Sequence, residues 1–321
     1  MQIEILREED IEKIDSLIET YRYDKYIKVN LFNTIKAKKY LSDKIKEFYN
    51  KNTKTVIAAK ENEELLGILC YRKIEWDTKH FGFNVGRIEY FLTGEMPYKK
   101  EVGIKTSLMK EFEEWCRKEN IKFVSTKIDS SDYSTLHTLE NFDFRYMATV
   151  ITPMLDCRNL KDDFKSDIKL RNLKDNEIDV IVKMAENIFK INRFHLDENF
   201  DKEKADKLHG DWVRNRYKEN PENVYVLDHN GDIIGFFAVL IEDLSKYFGL
   251  KTSYLELAGI SDKYRGKGYD LILFRSMINI LKDKVEIIDT DFIVENTPIF
   301  NIYAKLGFKF VNSKITMHKW F

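Results

Sequence analysis

The stretch SYLELAGISDKYRGKGYDLILFRSMINILKD, residues 253–283, decides the fold of the second half of the chain. It begins as an apolar strand, passes through a turn with two glycines and continues as an amphipathic helix. In such a unit the first backbone N–H groups of the helix lack partners and point at one spot. Gly266 and Gly268 let the backbone adopt positive φ and approach a ligand closely. Arg265 and Lys267 add positive charge, so the pattern predicts a diphosphate site.

Two other phosphate-binding motifs do not fit this turn. The P-loop pattern G-x-x-x-x-G-K-[ST] is absent from the sequence. The Rossmann fingerprint requires a third glycine and an acidic residue at a set distance within a βαβ unit, and neither is found. Gly-x-Gly beside basic residues often marks only a turn, so the interpretation needs a second motif.

The chain repeats its own pattern, which indicates duplication. Both IEILREEDIEKIDSLIETY (from Ile3) and IKLRNLKDNEIDVIVKMAENIF (from Ile168) open with a short strand and an acidic helix start. A hairpin follows in each half, and its second strand carries Gly67 or Gly235. The closing strand–helix–strand segments match without gaps. Chance is the alternative, because that order is common, but three matched segments in one order favour duplication.

We therefore predict an α/β (α+β) fold with two domains, residues 1–160 and 161–321. Each is expected to have a mixed, mostly antiparallel central sheet flanked by helices. The length of 321 residues fits two cores, and a hydrophobic content of 43% with 13% aromatic residues excludes a disordered chain. A net charge of -1 argues against a protein that coats nucleic acid.

The remaining composition predicts a cytoplasmic protein without metal. The N-terminus MQIEILREED has no apolar core of a signal peptide. The longest apolar run, Ile233 to Ile241, is far shorter than the roughly 18 residues that span a membrane, so no membrane partner is expected. The three cysteines lack C-x-x-C spacing and the six histidines lack H-x-x-x-H pairing, which disfavours disulfides and metal sites.

Two motifs in order carry a family resemblance. Arg265-Gly266-Lys267-Gly268-Tyr269-Asp270 resembles R/Q-x-x-G-x-G/A, the acyl-CoA pyrophosphate loop of the GNAT (Gcn5-related N-acetyltransferase) superfamily, with Asp270 where the family has Gly or Ala. Asn296, followed by Tyr303 and then by Lys305-Leu306-Gly307-Phe308, is similar to the second motif of that superfamily. The resemblance implies an acyl-CoA donor, most simply acetyl-CoA.

The resemblance also implies roles for individual residues. Tyr303 would protonate the leaving CoA thiolate, although a core aromatic is the alternative. Asn296 would hydrogen-bond the pantetheine arm, although a helix N-cap is the alternative. A backbone N–H between Leu257 and Ser261 would hold the oxyanion. The predicted donor-binding residues are Leu257, Gly259, Ser261, Arg265, Gly266, Lys267, Gly268, Tyr269, Asp270 and Asn296.

Two residues are candidates for the base that deprotonates the acceptor amine. Glu256 lies between Leu255 and Leu257, and strand alternation predicts that it faces the opposite side of the sheet from both. A solvent-facing carboxylate or an ion-pair partner is the alternative. His195 is the second candidate, because histidine is the residue type that ordinarily exchanges a proton near neutral pH. A hydrogen-bonding surface group is its alternative.

Further segments narrow the resemblance. Trp76-Asp77-Thr78-Lys79-His80-Phe81-Gly82-Phe83 with Arg87, the segment Asn192-Arg193-Phe194-His195-Leu196-Asp197, and Trp212-Val213-Arg214-Asn215 resemble the TDP-fucosamine acetyltransferases. That group N-acylates dTDP-4-amino-4,6-dideoxyhexoses, which implies a nucleotide-linked amino-sugar acceptor. The implied acceptor-binding residues are Trp76, Phe81, Arg87, Arg193 and Phe194. Core packing for the aromatic residues and structural ion pairs for the arginines are the alternatives.

The first repeat lacks both motifs. It has no R-x-x-G-x-G/A sequence, and Leu139 takes the place of the tyrosine. We predict that it is degenerate and that it lines part of the acceptor pocket. Three alternatives to the sugar acyltransferase stay open: a Fem-type aminoacyl transferase, a GNAT enzyme acting on a peptide or another small amine, and a non-catalytic binding module. A homodimer also stays open.

Overall fold

The computed structural model describes residues 1–161 and 164–321. These residues form two compact units. Unit 1 contains Met1–Thr149 and Asn312–Phe321, and unit 2 contains Val150–Val311.

Unit 1 alternates strands and helices. Its strands are β1 (Gln2–Ile5), β2 (Val56–Glu61), β3 (Glu64–Lys73), β4 (Val85–Thr93) and β5 (Phe123–Asp129). Its helices are α1 (Ile14–Thr20), α2 (Lys25–Lys28), α3 (Thr34–Lys51), α4 (Glu75–Phe81), α5 (Tyr98–Lys118) and α6 (Tyr133–Asn141). Two short 3₁₀ turns, Glu8–Lys13 and Thr53–Thr55, complete it. Strand β6 (Arg145–Asp156) follows, and its residues 150–156 belong to unit 2.

Unit 2 repeats the same order of elements. Its strands are β7 (Lys169–Asn172), β8 (Val224–His229), β9 (Asp232–Asp243), β10 (Lys251–Ile260), β11 (Ile287–Asp289) and β12 (Phe292–Ile293). Its helices are α7 (Ile178–Ile188), α8 (Arg193–Leu196), α9 (Lys202–Glu219), α10 (Ser245–Phe248), α11 (Tyr269–Leu281) and α12 (Thr297–Lys305). Its 3₁₀ turns are Asp175–Glu177, Pro221–Asn223 and Asp262–Tyr264. Strand β13 (Lys309–Trp320) follows.

The sheets of the two units have the same topology. In unit 1, β1 to β4 pair antiparallel in sequence order and β4 pairs parallel with β5. In unit 2, β7 to β10 pair antiparallel in sequence order and β10 pairs parallel with β11. Matching order and direction along five strands confirm the predicted fold class of two mixed, mostly antiparallel sheets flanked by helices.

The last strand of each sheet comes from the other repeat of the sequence. Residues 314–320 of β13 pair antiparallel with β5 in unit 1. Residues 154–156 of β6 pair antiparallel with β11 in unit 2, and Phe292 and Ile293 of β12 also pair with β6. The compact units therefore group residues differently from the predicted bounds of 1–160 and 161–321, which stay a prediction about the duplicated segments.

The hairpins of both units show why their turn and glycine residues are present. The β8–β9 turn consists of Asn230 and Gly231, both with positive φ, as the sequence His-Asn-Gly-Asp predicts. Gly235 follows on β9, where an added Cβ would lie 2.9 Å from the carbonyl oxygen of Gly259 on the neighbouring strand. Gly67 on β3 is equally close to the carbonyl oxygen of Leu92. The matched glycines thus allow close approach of the next strand.

Each sheet is covered on both faces. In unit 2, one core contains residues of α11 and α12, with Leu273, Phe274 and Tyr303 packed against the sheet. The other core contains residues of α7 and α9, with Ile181, Ala185 and Val213 among them. Because both faces are buried, strand β8 begins with four buried residues and shows no polar alternation there.

Candidate active site

A turn with two positive-φ glycines joins β10 to α11 in unit 2. Gly266 has φ of 73° and Gly268, which precedes the first residue of α11, has φ of 83°. Cβ atoms built on these glycines would meet nothing within 4 Å. The glycines are therefore required by the backbone conformation rather than by crowding. The strand, turn and helix lie as the sequence predicts, and the N-cap Gly268 offers α11 no side-chain cap.

The side chains of this turn are mostly cationic. Arg265 lies with Nη1 2.9 Å from Asp262 Oδ1, and its Nη2 donates to the carbonyl of Ile188 at 3.2 Å. The Lys267 ammonium lies 5.5 Å from the ring centroid of Tyr264. Asp270, in the first turn of α11, is half-buried, and this burial raises its pKa although Arg265 acts in the opposite direction. The cationic side chains suit an anionic ligand.

Strand β10 contains a β-bulge at Glu256. Leu255 pairs with Val239 and Leu257 pairs with Ala238, so Glu256 is the extra residue in the ladder. Leu255 consequently packs in the core beneath α11, whereas Leu257 packs in the core beneath α7 and α9. The prediction that Glu256 faces away from both leucines was therefore wrong, because strand alternation assumes a regular ladder.

The Glu256 carboxylate is held by Arg216 of α9. Arg216 Nη2 donates to Oε1 at 2.7 Å, and Nε lies 2.5 Å from Oε2. The Glu256 side chain is only 7% exposed. Burial raises the pKa of Glu256, and Arg216 partly offsets this effect. Glu256 is thus an ion-pair partner, as the alternative interpretation held, and its burial makes the carboxylate a better proton acceptor than an exposed one.

Strands β10 and β11 part directly before the bulge. Their parallel pairing ends at Tyr254 and Asp289, whereas β10 continues to Ile260. Thr290, the residue after β11, donates from its hydroxyl to the carbonyl of Leu255 at 2.6 Å. The backbone of residues 256–260 is therefore not paired with β11 on the edge of β10 that faces this strand. A slot between parting strands can receive an extended ligand.

Tyr303 lies in the core beside this parting point. Its ring contacts Phe274, Phe292 and Phe308, with centroids 5.4, 5.4 and 4.9 Å away. Burial raises the pKa of Tyr303, while a hydrogen bond with Thr290 acts in the opposite direction. Through Thr290, the phenol is connected to the Leu255 carbonyl, one residue before Glu256. Tyr303 is thus both a core aromatic and a phenol close to the bulge, and its role as an acid stays a prediction.

Three other predicted donor-site residues have structural contacts. Asn296 caps α12, its Oδ1 accepting from the Ile299 N–H at 3.4 Å. Ser261 donates its backbone N–H to the carbonyl of Ile234 at 2.9 Å. A Cβ on Gly259 would lie 2.2 Å from Ile188 Cδ1, so this glycine lets the end of α7 approach β10. Contacts of these residues with a donor stay predictions.

His195 is fixed by two partners. Asn192 uses its Oδ1 to cap α8, accepting from the Phe194 N–H at 2.9 Å, so its amide nitrogen is the donor to His195 Nδ1 at 2.6 Å. The proton of the neutral ring is then assigned to Nε2, which donates to Asp206 at 2.7 Å. Both nitrogens have partners within the helical layer, which favours Glu256 as the base.

The predicted acceptor-binding residues are divided between the units. In unit 2, Phe194 is buried against Phe200 with ring centroids 5.0 Å apart, and the Arg193 guanidinium lies 4.3 Å from the Phe194 centroid. In unit 1, Trp76 is 38% exposed and stacks on His80, while Phe81 is buried. There, Arg87 Nη2 lies 3.4 Å from Asp77. Their roles in acceptor binding stay predictions.

Unit 1 has a buried cluster of ion pairs at the start of α6, the helix that corresponds to α12 of unit 2. Asp132 caps α6 as Asn296 caps α12, and Leu139 is fully buried where unit 2 has Tyr303. Lys105 of α5 is 1% exposed and contacts Glu101 at 2.8 Å and Asp132 at 3.3 Å. Its ammonium also donates to the hydroxyls of Ser134 and Thr135, both at 2.7 Å.

Arg216 and Thr290 are the residues that the sequence analysis did not single out. Thr290 follows β11, and nothing in the neighbouring sequence predicts the hydrogen bond from its hydroxyl to the Leu255 carbonyl, 35 residues earlier. Arg216 lies 40 residues before its partner Glu256. In the sequence, Arg216 directly follows the segment Trp212–Asn215 that resembles the sugar N-acyltransferases, which is its one hint of a role.

Neither a metal cluster nor a membrane helix is found among the described residues. Within residues 1–161 and 164–321, no three side chains of His, Cys, Asp or Glu are grouped to hold a metal ion. Over the same ranges, no helix is long and apolar enough to cross a membrane.

Comparisons with known proteins agree with this geometry. Residues 186–308 match the sequence model of the acetyltransferase (GNAT) family. The spore coat polysaccharide biosynthesis protein SpsD of Bacillus subtilis (strain 168) is 19% identical over 264 residues, covering 81% of this chain and 86% of SpsD.

Two solved structures share the fold. A GCN5-related N-acetyltransferase from Sphaerobacter thermophilus matches with a TM-score of 0.68 and 12% identity, over 99% of this chain and 95% of its own. A GCN5-related glucosamine N-acetyltransferase region of a fungal multi-domain β-N-acetylglucosaminidase matches with a TM-score of 0.66 and 13% identity, over 99% of this chain and 38% of that one. The segment that matches the acetyltransferase (GNAT) family therefore lies within unit 2, and the chain shares its fold with GCN5-related N-acetyltransferases.

Proposed function

We propose that unit 2 transfers the acetyl group of acetyl-CoA to the amine of a nucleotide-linked amino-deoxysugar. The observation that carries the proposal is the meeting of three features where β10 leaves β11. These are the carboxylate of Glu256 at the bulge, the link through Thr290 to the Tyr303 phenol, and the backbone edge of residues 256–260, which β11 does not pair with.

The residues after β10 suit the diphosphate of the donor. Gly266 and Gly268 keep the turn open, and the N–H groups at the start of α11 supply donors for phosphate oxygens. Arg265 and Lys267 supply positive charge. Acetyl-CoA supplies the acetyl group as a thioester. Within this arrangement Asn296 and the edge of β10 would hold the pantetheine arm.

Glu256 acts on the acceptor. An amine attacks a thioester only as the free base, so the ammonium must first lose a proton. The buried carboxylate of Glu256 accepts it, directly or through a water molecule. Burial raises its pKa and so makes it a stronger base than an exposed glutamate.

Backbone and phenol groups complete the transfer. A backbone N–H of residues 257–260 donates to the carbonyl oxygen as negative charge develops on it, since the N–H of Ser261 already bonds Ile234. Tyr303 then donates its phenolic proton to the sulfur of the leaving thiolate. Because burial keeps the phenol protonated, Tyr303 holds this proton until the thiolate forms.

The sugar acceptor rests on the resemblance to the TDP-fucosamine acetyltransferases and on the similarity to SpsD, whose name refers to polysaccharide biosynthesis. The test is an acceptor panel assayed with acetyl-CoA by release of free thiol. It contains nucleotide-linked amino-deoxysugars, free amino sugars and peptides with a free amine. We expect turnover to be fastest with a nucleotide-linked sugar. Turnover with peptides alone would contradict the sugar assignment.

A further inference from the structure

The guanidinium of Arg216 is engaged on both of its edges. Nη2 donates to Glu256 Oε1 at 2.7 Å, and Nε lies 2.5 Å from Oε2 in an ion pair whose geometry is not that of a hydrogen bond. Nη1 donates to Glu219, one turn later on α9, at 3.0 Å. One planar guanidinium thus contacts both oxygens of Glu256, which a single point charge does less specifically.

The pair is buried at the place where the strand is irregular. Arg216 is 16% exposed and Glu256 is 7% exposed. A bulge aims a side chain in a direction that a regular strand would not give it. An ion pair replaced by apolar residues is often no less stable, so burial of such a pair is weak evidence for a role in stability alone.

We infer that Arg216 is a positioning residue, which keeps the Glu256 carboxylate ionised and oriented for proton transfer from the acceptor. The inference rests on the proposed function, in which Glu256 is the base. Arg216 itself touches no reacting atom in this scheme.

The charges around Glu256 determine what removal of Arg216 does. From α9, Arg216 lowers the pKa of Glu256 and Glu219 raises it. From β9, the residues opposite the bulge are the apolar Ala238 and Val239. Without Arg216, burial and Glu219 act together, and both favour the protonated carboxyl, which cannot accept a proton.

The test is the pH dependence of kcat/KM for Arg216→Gln and Arg216→Lys. The matched control is Arg214→Gln on the same helix, since Arg214 pairs with the exposed Asp179 at 2.8 Å and does not contact Glu256 in the described hydrogen bonds. An opposite charge typically lowers a carboxyl pKa by about 1–3 units. We therefore expect the acidic limb of Arg216→Gln to move up by at least about 1 pH unit, with a rate loss of about 10-fold or more below it.

Arg216→Lys keeps the positive charge without the planar guanidinium, so a smaller shift in the same direction is expected. This variant replaces Arg216→Gln should Arg216→Gln not fold. Arg214→Gln should keep the wild-type profile. If the acidic limb of the kcat/KM profile is the same as in wild type in both Arg216 variants, and only the melting temperature is lower, the inference is overturned.

Glu256→Gln separates this failure from that of the proposed function. If Glu256→Gln is as active as wild type, the base assignment is wrong and the inference falls with it. If Glu256→Gln is slow and the Arg216 variants keep the wild-type limb, only the role of Arg216 is wrong.

Discussion

Substitution of Gly268 by alanine tests the diphosphate turn. Gly268 has φ of 83°, and a non-glycine residue in this region costs about 1–2 kcal/mol. A Cβ there would meet no atom within 4 Å, so the cost comes from the backbone alone. We expect the turn to relax toward negative φ and thereby to move the N–H groups at the start of α11. Binding must then restore the original turn, which weakens acetyl-CoA binding by about 5- to 30-fold.

Gly249→Ala is the matched control. Gly249 has φ of 72°, and its Cβ would likewise meet nothing within 4 Å. It precedes β10, whereas Gly268 follows β10, and this strand of 10 residues spans roughly 30 Å. Calorimetric titration and thermal unfolding should show a similar loss of stability in both variants, but weaker acetyl-CoA binding only in Gly268→Ala. Equal affinities in the two variants would refute the assigned role of the turn.

Three further predictions concern single side chains. Tyr303→Phe should lower turnover by about 100-fold or more while calorimetry gives an unchanged acetyl-CoA affinity; unchanged turnover would exclude Tyr303 as the acid. Burial lowers the pKa of His209 from 6.5 to about 4, so the unfolded chain binds more protons between these values. Stability should be full above pH 6.5 and fall by about 3 kcal/mol toward pH 4 in chemical denaturation, and His209→Leu should lose this part of the slope. Lys105→Met leaves Glu101 and Asp132 without their buried cation, so denaturation should show a loss of about 3–5 kcal/mol, with acetyl-CoA affinity retained if the donor binds only in unit 2.

Local turn chemistry made much of the fold predictable from sequence. Asn230 and Gly231 adopt positive φ in the predicted hairpin turn, and Gly266 and Gly268 do so between strand and helix. A positive φ in a turn depends on only a few neighbouring residues, so it can be predicted directly from the sequence. The repeat of the same element order in both halves followed from the same local signals.

Features that depend on distant residues were not predictable. The bulge at Glu256 shifts the ladder with β9, and strand alternation by itself gave the wrong face. Arg216 meets Glu256 through the packing of α9 on the sheet. The placement of residues 312–321 in unit 1 also lacks a local signal, because the final strands of both repeats have similar patterns.

The candidate site was predicted in part. The diphosphate turn could be identified because glycine and positive charge at a helix start have a direct physical meaning. The contacts of His195 with Asn192 and Asp206, and the capping of α12 by Asn296, required the folded chain. Polar residues in a motif have several partners available, and the sequence does not state which they take.

The most direct test of the central claim is product analysis by mass spectrometry. The full chain is incubated with acetyl-CoA and a dTDP-4-amino-4,6-dideoxyhexose, with Glu256→Gln and a reaction without enzyme alongside. We expect the nucleotide sugar to gain one acetyl group on its amine, with one free thiol released for each acetyl group transferred, and Glu256→Gln to be much slower. Thiol release without acetylation of the sugar, or no reaction with any nucleotide-linked amino sugar, would contradict this claim.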